Sequence, residues 1–191
     1  MFKKIVLGIV AIIALILIFA LTKPATYTVA RSTTIKAPPE TVYSFIDDFH
    51  KWEPWSPWEK MDPAMKRTYA GAANGKGAVY TWDGNSQVGK GRMEISNVSA
   101  PAKVDINLDF LAPMAAHSDV EFSLVPQGDS TSVTWTMIGE NNYLSKLMQV
   151  FVSMDNMIGP DFESGLAGLK AAAEKAAPTM QASPSPETPK S

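Results

Sequence analysis

With 191 residues, 46% of them apolar and 19% charged, the chain is long enough for one domain with its own core and something in addition. The absence of cysteine excludes disulfides, thiolate zinc sites, iron–sulfur clusters and a cysteine nucleophile. The two histidines, His50 and His117, are too far apart for a metal-ligand spacing, so no metal and no other cofactor is expected. The formal charge is −2; setting Lys3 and Lys4 aside, as part of an apolar anchor, leaves 15 of the 17 basic residues against 19 acidic ones. A mildly acidic domain is a poor binder of a phosphate backbone, and nucleic acid is set aside as a partner.

Ile5 to Leu21 is an uncharged run, apolar apart from Gly8, with Lys3 and Lys4 before it and Lys23-Pro24 after it. Its length lies near the lower limit for crossing a bilayer core, which takes about 20 residues. A cleavable leader has an apolar stretch of about 7–15 residues and an A-x-A-like exit. The exit here, Ala20-Leu21-Thr22-Lys23-Pro24, fits that pattern badly. The expectation is therefore an uncleaved single-pass anchor over residues 5–22, after a short cytoplasmic N-terminus of residues 1–4. The lysines before the run, against a more spread set after it, are expected to place the N-terminus in the cytoplasm and the domain on the outer side of the membrane, which in a Gram-negative cell is the periplasm.

Beyond the anchor, Tyr27 to Ile35 is rich in Tyr, Val, Thr and Ile and predicts a strand. Ala37-Pro38-Pro39-Glu40 breaks it and opens a helix, whose buried stripe is Val42, Phe45, Ile46 and Phe49 at i, i+3, i+4 and i+7. His50 to Pro63 is a proline-punctuated stretch carrying Trp52, Trp55 and Trp58. Six strands follow, near Lys66–Gly71, Gly77–Trp82, Gly89–Val98, Lys103–Leu111, Ser118–Pro126 and Thr131–Gly139. Asn74-Gly75, Asp83-Gly84-Asn85, Ala100-Pro101 and Gln127-Gly128-Asp129 supply turns, with the Asp-Gly-Asn set suited to positive φ.

Apolar and polar residues alternate cleanly in the later strands. Val104, Ile106, Leu108 and Phe110 are interleaved with Asp105, Asn107 and Asp109, and Val120, Phe122 and Leu124 with Asp119, Glu121 and Ser123. Such strands are half-buried and antiparallel, with one wet face. An apolar helical piece spans Leu144 to Met157. Gly159-Pro160 is expected to interrupt it, and a second helix with Phe162, Leu166, Leu169 and Ala173 on its buried face runs to about Ala177. Pro178 stops that helix, and residues 178–191 form a Pro/Ser/Thr tail without the apolar content to order itself.

The order strand, helix, six strands, long helix is an α+β arrangement in which an antiparallel sheet curves around a closing helix. The sequence resembles the START-like SRPBCC superfamily, in its polyketide cyclase/dehydrase-like branch. The resemblance is carried by Arg31-Ser32, Ile35-x-Ala37-Pro38, Trp52-x-x-Trp55-Ser56-Pro57-Trp58, Asp62-Pro63-x-Met65, Tyr69-x-Gly71, Gly77-x-x-Tyr80-x-Trp82-x-Gly84-Asn85, Gly89-x-Gly91-x-Met93 and Phe162-Glu163-x-Gly165-Leu166-x-x-Leu169-Lys170. It implies a helix-grip domain over residues 26–177, enclosing a hydrophobic pocket for lipids, sterols, polyketides or similar molecules. Only some members of the superfamily are enzymes.

On this reading the sheet contributes Met93, Ile95, Ile106, Leu108, Phe110, Phe122, Trp135 and Met137 to the pocket, facing Phe151, Met154 and Phe162. No residue in that set ionises, which suits a small hydrophobic, lipid-like or polyketide-like ligand and argues against catalysis. Arg31, in phase with Val29 and Ile35, is a candidate polar contact, with snorkelling at the sheet edge as its simpler reading. His117 is a candidate base at the pocket mouth, or a plain surface histidine at a strand end. Trp52, Trp55 and Trp58 are candidates for a gate, for a membrane-interface loop, or for local packing. Two rival functions stand beside ligand binding. One is a cyclase, dehydrase or hydrolase acting through Arg31 and His117; the other is a cell-envelope interaction module using the tryptophan loop.

Overall fold

The structure is a computed structural model and describes residues 2–181. Helix α1 (Phe2–Leu21) is followed by strand β1 (Thr26–Ile35), helix α2 (Pro39–Ile46), a 3₁₀ turn (Phe49–Lys51) and the short helix α3 (Pro57–Met61). Six strands come next: β2 (Lys66–Gly71), β3 (Ala78–Asp83), β4 (Lys90–Ser99), β5 (Lys103–Ala112), β6 (Ala116–Gln127) and β7 (Ser130–Glu140). Helices α4 (Tyr143–Met148) and α5 (Met154–Gln181) close the chain. The strands form one antiparallel sheet in the order β1-β7-β6-β5-β4-β3-β2, so the first strand pairs with the last and every other pairing is a hairpin.

Period-two alternation sets the faces of the sheet. Paired residues share a face, and the pairs Ile106–Val120, Val104–Phe122, Phe122–Trp135 and Val29–Met137 place the apolar phase inward, where all seven of these residues are buried. The opposite phase, with Asp105, Asp119 and Glu121, stays in water. Helix α5 lies on the inner face against β1, α2 and α3. Its stripe Phe162, Leu166, Leu169 and Ala173 is fully buried, as the helical spacing requires. Three glycines allow the close approach. A Cβ at Gly168 would stand 2.7 Å from the Trp55 carbonyl oxygen, one at Gly165 would stand 2.7 Å from the Trp135 ring, and one at Gly159 would overlap the Arg31 guanidinium.

Two helix boundaries differ from the sequence expectation. The break between the C-terminal helices falls at residues 149–153, and α5 runs unbroken through Gly159-Pro160. Gly159 makes room for Arg31, and Pro160 deprives only the carbonyl of the exposed Asn156 of its helical partner. The helix also continues past Pro178 to Gln181; the rest of the expected tail, 182–191, lies outside the described residues. At the β3–β4 reversal the positive φ belongs to Gly89, at 62°, and not to Gly84. That loop is held by side chains: the Asp62 carboxylate accepts from the Asn85 amide at 2.7 Å, and Asn85 Oδ1 accepts from the Gln87 amide at 2.8 Å.

Helix α1 is apolar on every side and only Ala20 is buried, so the domain does not cover it. It is long and apolar enough to cross a membrane.

Candidate functional site

The inner face of the sheet and the first turns of α5 enclose a cavity of about 370 Å³. Tyr80 and Trp82 on β3, Met93 on β4, Leu108 and Phe110 on β5, Val120 on β6, and Trp135 and Met137 on β7 form the sheet side. Met157, Ile158, Asp161 and Phe162 of α5 face them, and Trp52, Ser56, Trp58, Glu59, Met65, Gln87 and Val88 complete the wall. Large rigid side chains brace the walls of this space. Trp135 stacks on Phe162 at 4.1 Å and on Phe122 at 4.8 Å between ring centroids, with Trp58 edge-on at 5.7 Å. Trp82 lies across Gly91, where a Cβ would collide with its ring, and its Nε1–H donates to the Val88 carbonyl at 3.0 Å.

Two carboxyl groups reach this wall, and they differ in their surroundings. Glu59 is buried and fully engaged: Tyr80 Oη donates to Oε1 at 2.6 Å, and Arg67 Nε and Nη2 donate to Oε2 at 2.6 Å. Burial, and then the hydrogen bond to Glu59, push the Tyr80 phenol well above its ordinary range, so it stays protonated as a donor. Asp161, half-buried at the start of α5, has no hydrogen-bond or ion-pair partner among the described residues. Burial alone raises its pKa. One further polar atom is unpaired: among the described residues, the Trp135 indole N–H is the one buried side-chain donor or acceptor without a partner.

The residues singled out by sequence divide into three groups. Met93, Leu108, Phe110, Trp135, Met137 and Phe162 line the cavity, and Trp52 and Trp58 join its wall. Ile95, Ile106 and Phe122 are inward but packed behind the wall as filled core, and Met154 rests partly buried against that core. Phe151 is 71% exposed, because the break before α5 turns it away from the sheet. Trp55 is wholly buried and donates to the Phe45 carbonyl at 3.1 Å. With Trp52 also buried and hydrogen-bonded to the Ile46 carbonyl at 3.0 Å, these two indoles are interior packing and present no ring to a membrane interface or to a partner.

Arg31 and His117 both lie away from the cavity. Arg31 has the inward phase, opposite Trp135, but its guanidinium turns to the edge of α5. There Nη1 and Nη2 bond Asp155, at 2.7 and 3.1 Å, and Nε bonds Glu163 at 2.7 Å. His117 is paired across strands with Asp109 on the wet face, its Nδ1 2.7 Å from that carboxylate and its Nε2 3.5 Å from Asp119. These acids raise the pKa of its imidazole. The acids of the cavity were not anticipated from sequence. Glu59 falls in an aromatic, proline-rich stretch without readable periodicity, and Asp161 stands next to a helical stripe and not in it. Helical spacing held the one available signal, since Met157, Ile158, Asp161 and Phe162 occupy i, i+1, i+4 and i+5.

A second hollow of about 430 Å³ lies on the outer face over β4–β7, lined by solvated groups such as Asp105, Asn107, Asp119 and Glu121. It is an open trough, whereas the inner cavity has apolar walls converging from sheet and helix. Among the described residues no group of three or more His, Asp or Glu side chains is placed to hold a metal ion.

Residues 26–174 match the family model described as polyketide cyclase / dehydrase and lipid transport. A search of curated proteins returns no match. Among solved structures, protein CV1439 from Chromobacterium violaceum is similar at 15% identity and a TM-score of 0.55, over 79% of this chain and 99% of that one. A protein from Thermobifida fusca is similar at 18% identity and a TM-score of 0.59, over 78% of this chain and 93% of that one. The crystal structure titled Ara h 8.0201 has 11% identity and a TM-score of 0.53, covering 81% of this chain and 99% of that one. At such identities the likeness establishes the helix-grip fold alone.

Proposed function

The chain belongs to the polyketide cyclase / dehydrase and lipid transport family, and on that footing we propose that it is a membrane-anchored domain whose cavity binds a small, mainly apolar ligand. The observation that carries this reading is the 370 Å³ space walled by tryptophan, phenylalanine, methionine and leucine side chains between sheet and helix. An apolar body is favoured because the wall returns contacts with ring faces and flexible thioethers. Asp161 adds one preference: a ligand with a hydroxyl or amine group can donate to the unpaired carboxyl, whereas a carboxylate is repelled. Helix α1 supports the anchoring, since it is long and apolar enough to cross a membrane and the domain leaves it largely uncovered.

The experiment uses the full chain in lipid nanodiscs, with decanol, decylamine and decanoate as probes and intrinsic tryptophan emission as the readout. Trp52, Trp58, Trp82 and Trp135 line the cavity, so occupancy changes their surroundings. Decanol and decylamine are expected to shift the emission saturably and decanoate to bind more weakly. The shift should disappear in the double variant Leu108→Phe/Met137→Phe, which fills the space. An equal shift in that variant, or none in the parent, overturns the reading.

A second reading is acid–base catalysis on a polyketide-like substrate, which Asp161 favours as an unpaired carboxyl with a raised pKa inside a cavity. In that reading Glu59 positions Tyr80, and Arg31 and His117 have no part. Incubation of a β-dicarbonyl probe with the chain would then yield a cyclised or dehydrated product, lost in Asp161→Asn. Unchanged probe, bound by the parent, removes this reading and leaves the first.

A further inference from the structure

The sequence from Tyr143 to Val152 carries a single charge, Lys146, and none of its apolar side chains belongs to the core. Tyr143, Leu144, Met148, Phe151 and Val152 are 42–71% exposed. Five large apolar groups exposed within ten residues form a surface strip and not scattered singles. Its position is fixed at both ends. At one end, α4 packs against α1, with Tyr143 Oη donating to the Leu17 carbonyl at 3.2 Å. The exit of α1 is tied to the same place, since the Asn141 amide donates to the Ala25 carbonyl at 2.8 Å and its side chain to the Pro24 carbonyl at 3.1 Å. At the other end, Met157 is both exposed and part of the cavity wall, so the strip runs from the anchor to the cavity rim.

We propose that the segment 143–157 is a bilayer-docking surface that seats the cavity rim on the membrane holding α1, so that ligand passes between lipid and cavity without crossing water. Once α1 lies in a bilayer, its last turn reaches the interface, and α4 is carried to that depth by its packing on α1. An apolar strip at that level is covered by acyl chains, with Tyr143 and Lys146 at headgroup height. The reading rests on α1 as an anchor, and its loading step rests on the cavity being a ligand site.

The parent chain has no cysteine, so single-cysteine variants carry an environment-sensitive fluorophore at one chosen place. Phe151→Cys reports the strip. Asp129→Cys reports the β6–β7 turn, at the end of strand β7 opposite to the end that leads into α4. With the full chain in vesicles, the label at 151 is expected to emit at short wavelength and to be quenched by acyl-chain spin-labelled lipid, while the label at 129 behaves as in water. Emission at 151 like that at 129, from protein that carbonate washing does not extract, overturns the proposal. The second arm is Phe151→Asp/Val152→Asp, expected to load decanol from vesicles about tenfold more slowly, as loss of two interfacial anchors requires. Its affinity for decanol added directly should be unchanged. Equal loss of loading and affinity overturns the docking role, and absence of decanol binding in the parent overturns the cavity function while the label at 151 still decides the docking.

Discussion

The phenol of Tyr80 donates to Oε1 of Glu59 over 2.6 Å, and Arg67 occupies the opposite oxygen of the same carboxylate. The most buried acid of the cavity is thereby held by residues of β2 and β3, on the edge hairpin of the sheet. Glu59 thus ties α3 to that hairpin, and the carboxyl of the cavity wall left without a partner among the described residues is Asp161. A buried ion pair with its hydrogen bonds satisfied is costly to break from either side, because the surviving partner stays buried and unpaired.

Tyr80→Phe is expected to destabilise the fold by about 1–3 kcal/mol through the acceptor it leaves on Glu59. A pH signature separates this from a packing change. The phenol pKa is raised in the folded state, so its contribution is fully present below the unfolded value of about 10 and is lost as pH rises above it. Urea unfolding between pH 8 and pH 11 checks this: the parent should lose stability more steeply than Tyr80→Phe, whose residual slope comes from the other groups with raised pKa values, Tyr43, Tyr69 and Lys103. Equal slopes would remove Tyr80 from this role.

Asp161→Asn should change stability in the opposite sense. A carboxyl raised by burial, without a partner, favours folding when protonated and opposes it when charged. The advantage of the neutral form is present below the unfolded pKa of about 4 and is lost as pH rises through the folded value. The asparagine variant is therefore expected to match the parent at pH 3 and to melt higher at pH 7. In the same variant decylamine binding should weaken, because the carboxylate that receives the ammonium is gone. Higher melting without weaker binding would show that Asp161 plays no part in the site.

The strands were legible because each is apolar on one side only. Val104-Asp105-Ile106-Asn107-Leu108 states both its conformation and its facing, and period two leaves no second solution. The C-terminal helix was legible for the same reason, through Phe162, Leu166, Leu169 and Ala173. What stayed hidden depended on contacts between distant segments. Nothing local tells that Arg31 finds Asp155 and Glu163 across the sheet edge, or that Glu59 meets Tyr80 and Arg67. Phe151 misled for a related reason: it continues an apolar run, yet the helix breaks before it. Gly159-Pro160 has the composition of an interruption, and the use made of it, clearance for Arg31, becomes visible only once β1 lies against α5.

Close packing of α5 predicts an inversion of ordinary helix propensity. Alanine is favoured over glycine within a helix by about 1 kcal/mol. At Gly168, however, the new methyl would stand 2.7 Å from the Trp55 carbonyl oxygen and 3.1 Å from its Cα, backbone atoms that cannot swing aside. Overpacking of this kind costs about 1–3 kcal/mol, so Gly168→Ala is expected to lower the melting temperature despite the better helix former. Gly8→Ala is the control, since nothing lies within 4 Å of that position, and it should leave the melting of the domain unchanged. A stabilised Gly168→Ala would mean that α5 rides further from the tryptophan loop than this geometry places it.

The orientation of α1 follows from which flank holds positive charge closest to the apolar run. Lys3 and Lys4 adjoin it at the N-terminal side, whereas Lys23, Arg31 and Lys36 are spread along the other, with Arg31 already engaged by two carboxylates. A charge neutralised within the fold contributes little to retention in the cytoplasm, so the asymmetry is larger than a simple tally of lysine and arginine gives. Alkaline phosphatase fused after residue 191 is expected to be active and a cytoplasmic reporter at the same place silent. Lys3→Glu/Lys4→Glu should reverse or scramble that result, because it leaves Lys23 as the nearest cation. The parent chain should resist carbonate extraction and keep its N-terminal residues. A shortened mature chain in the soluble fraction would mark residues 5–22 as a removed leader, and the docking strip would then have no anchor to continue.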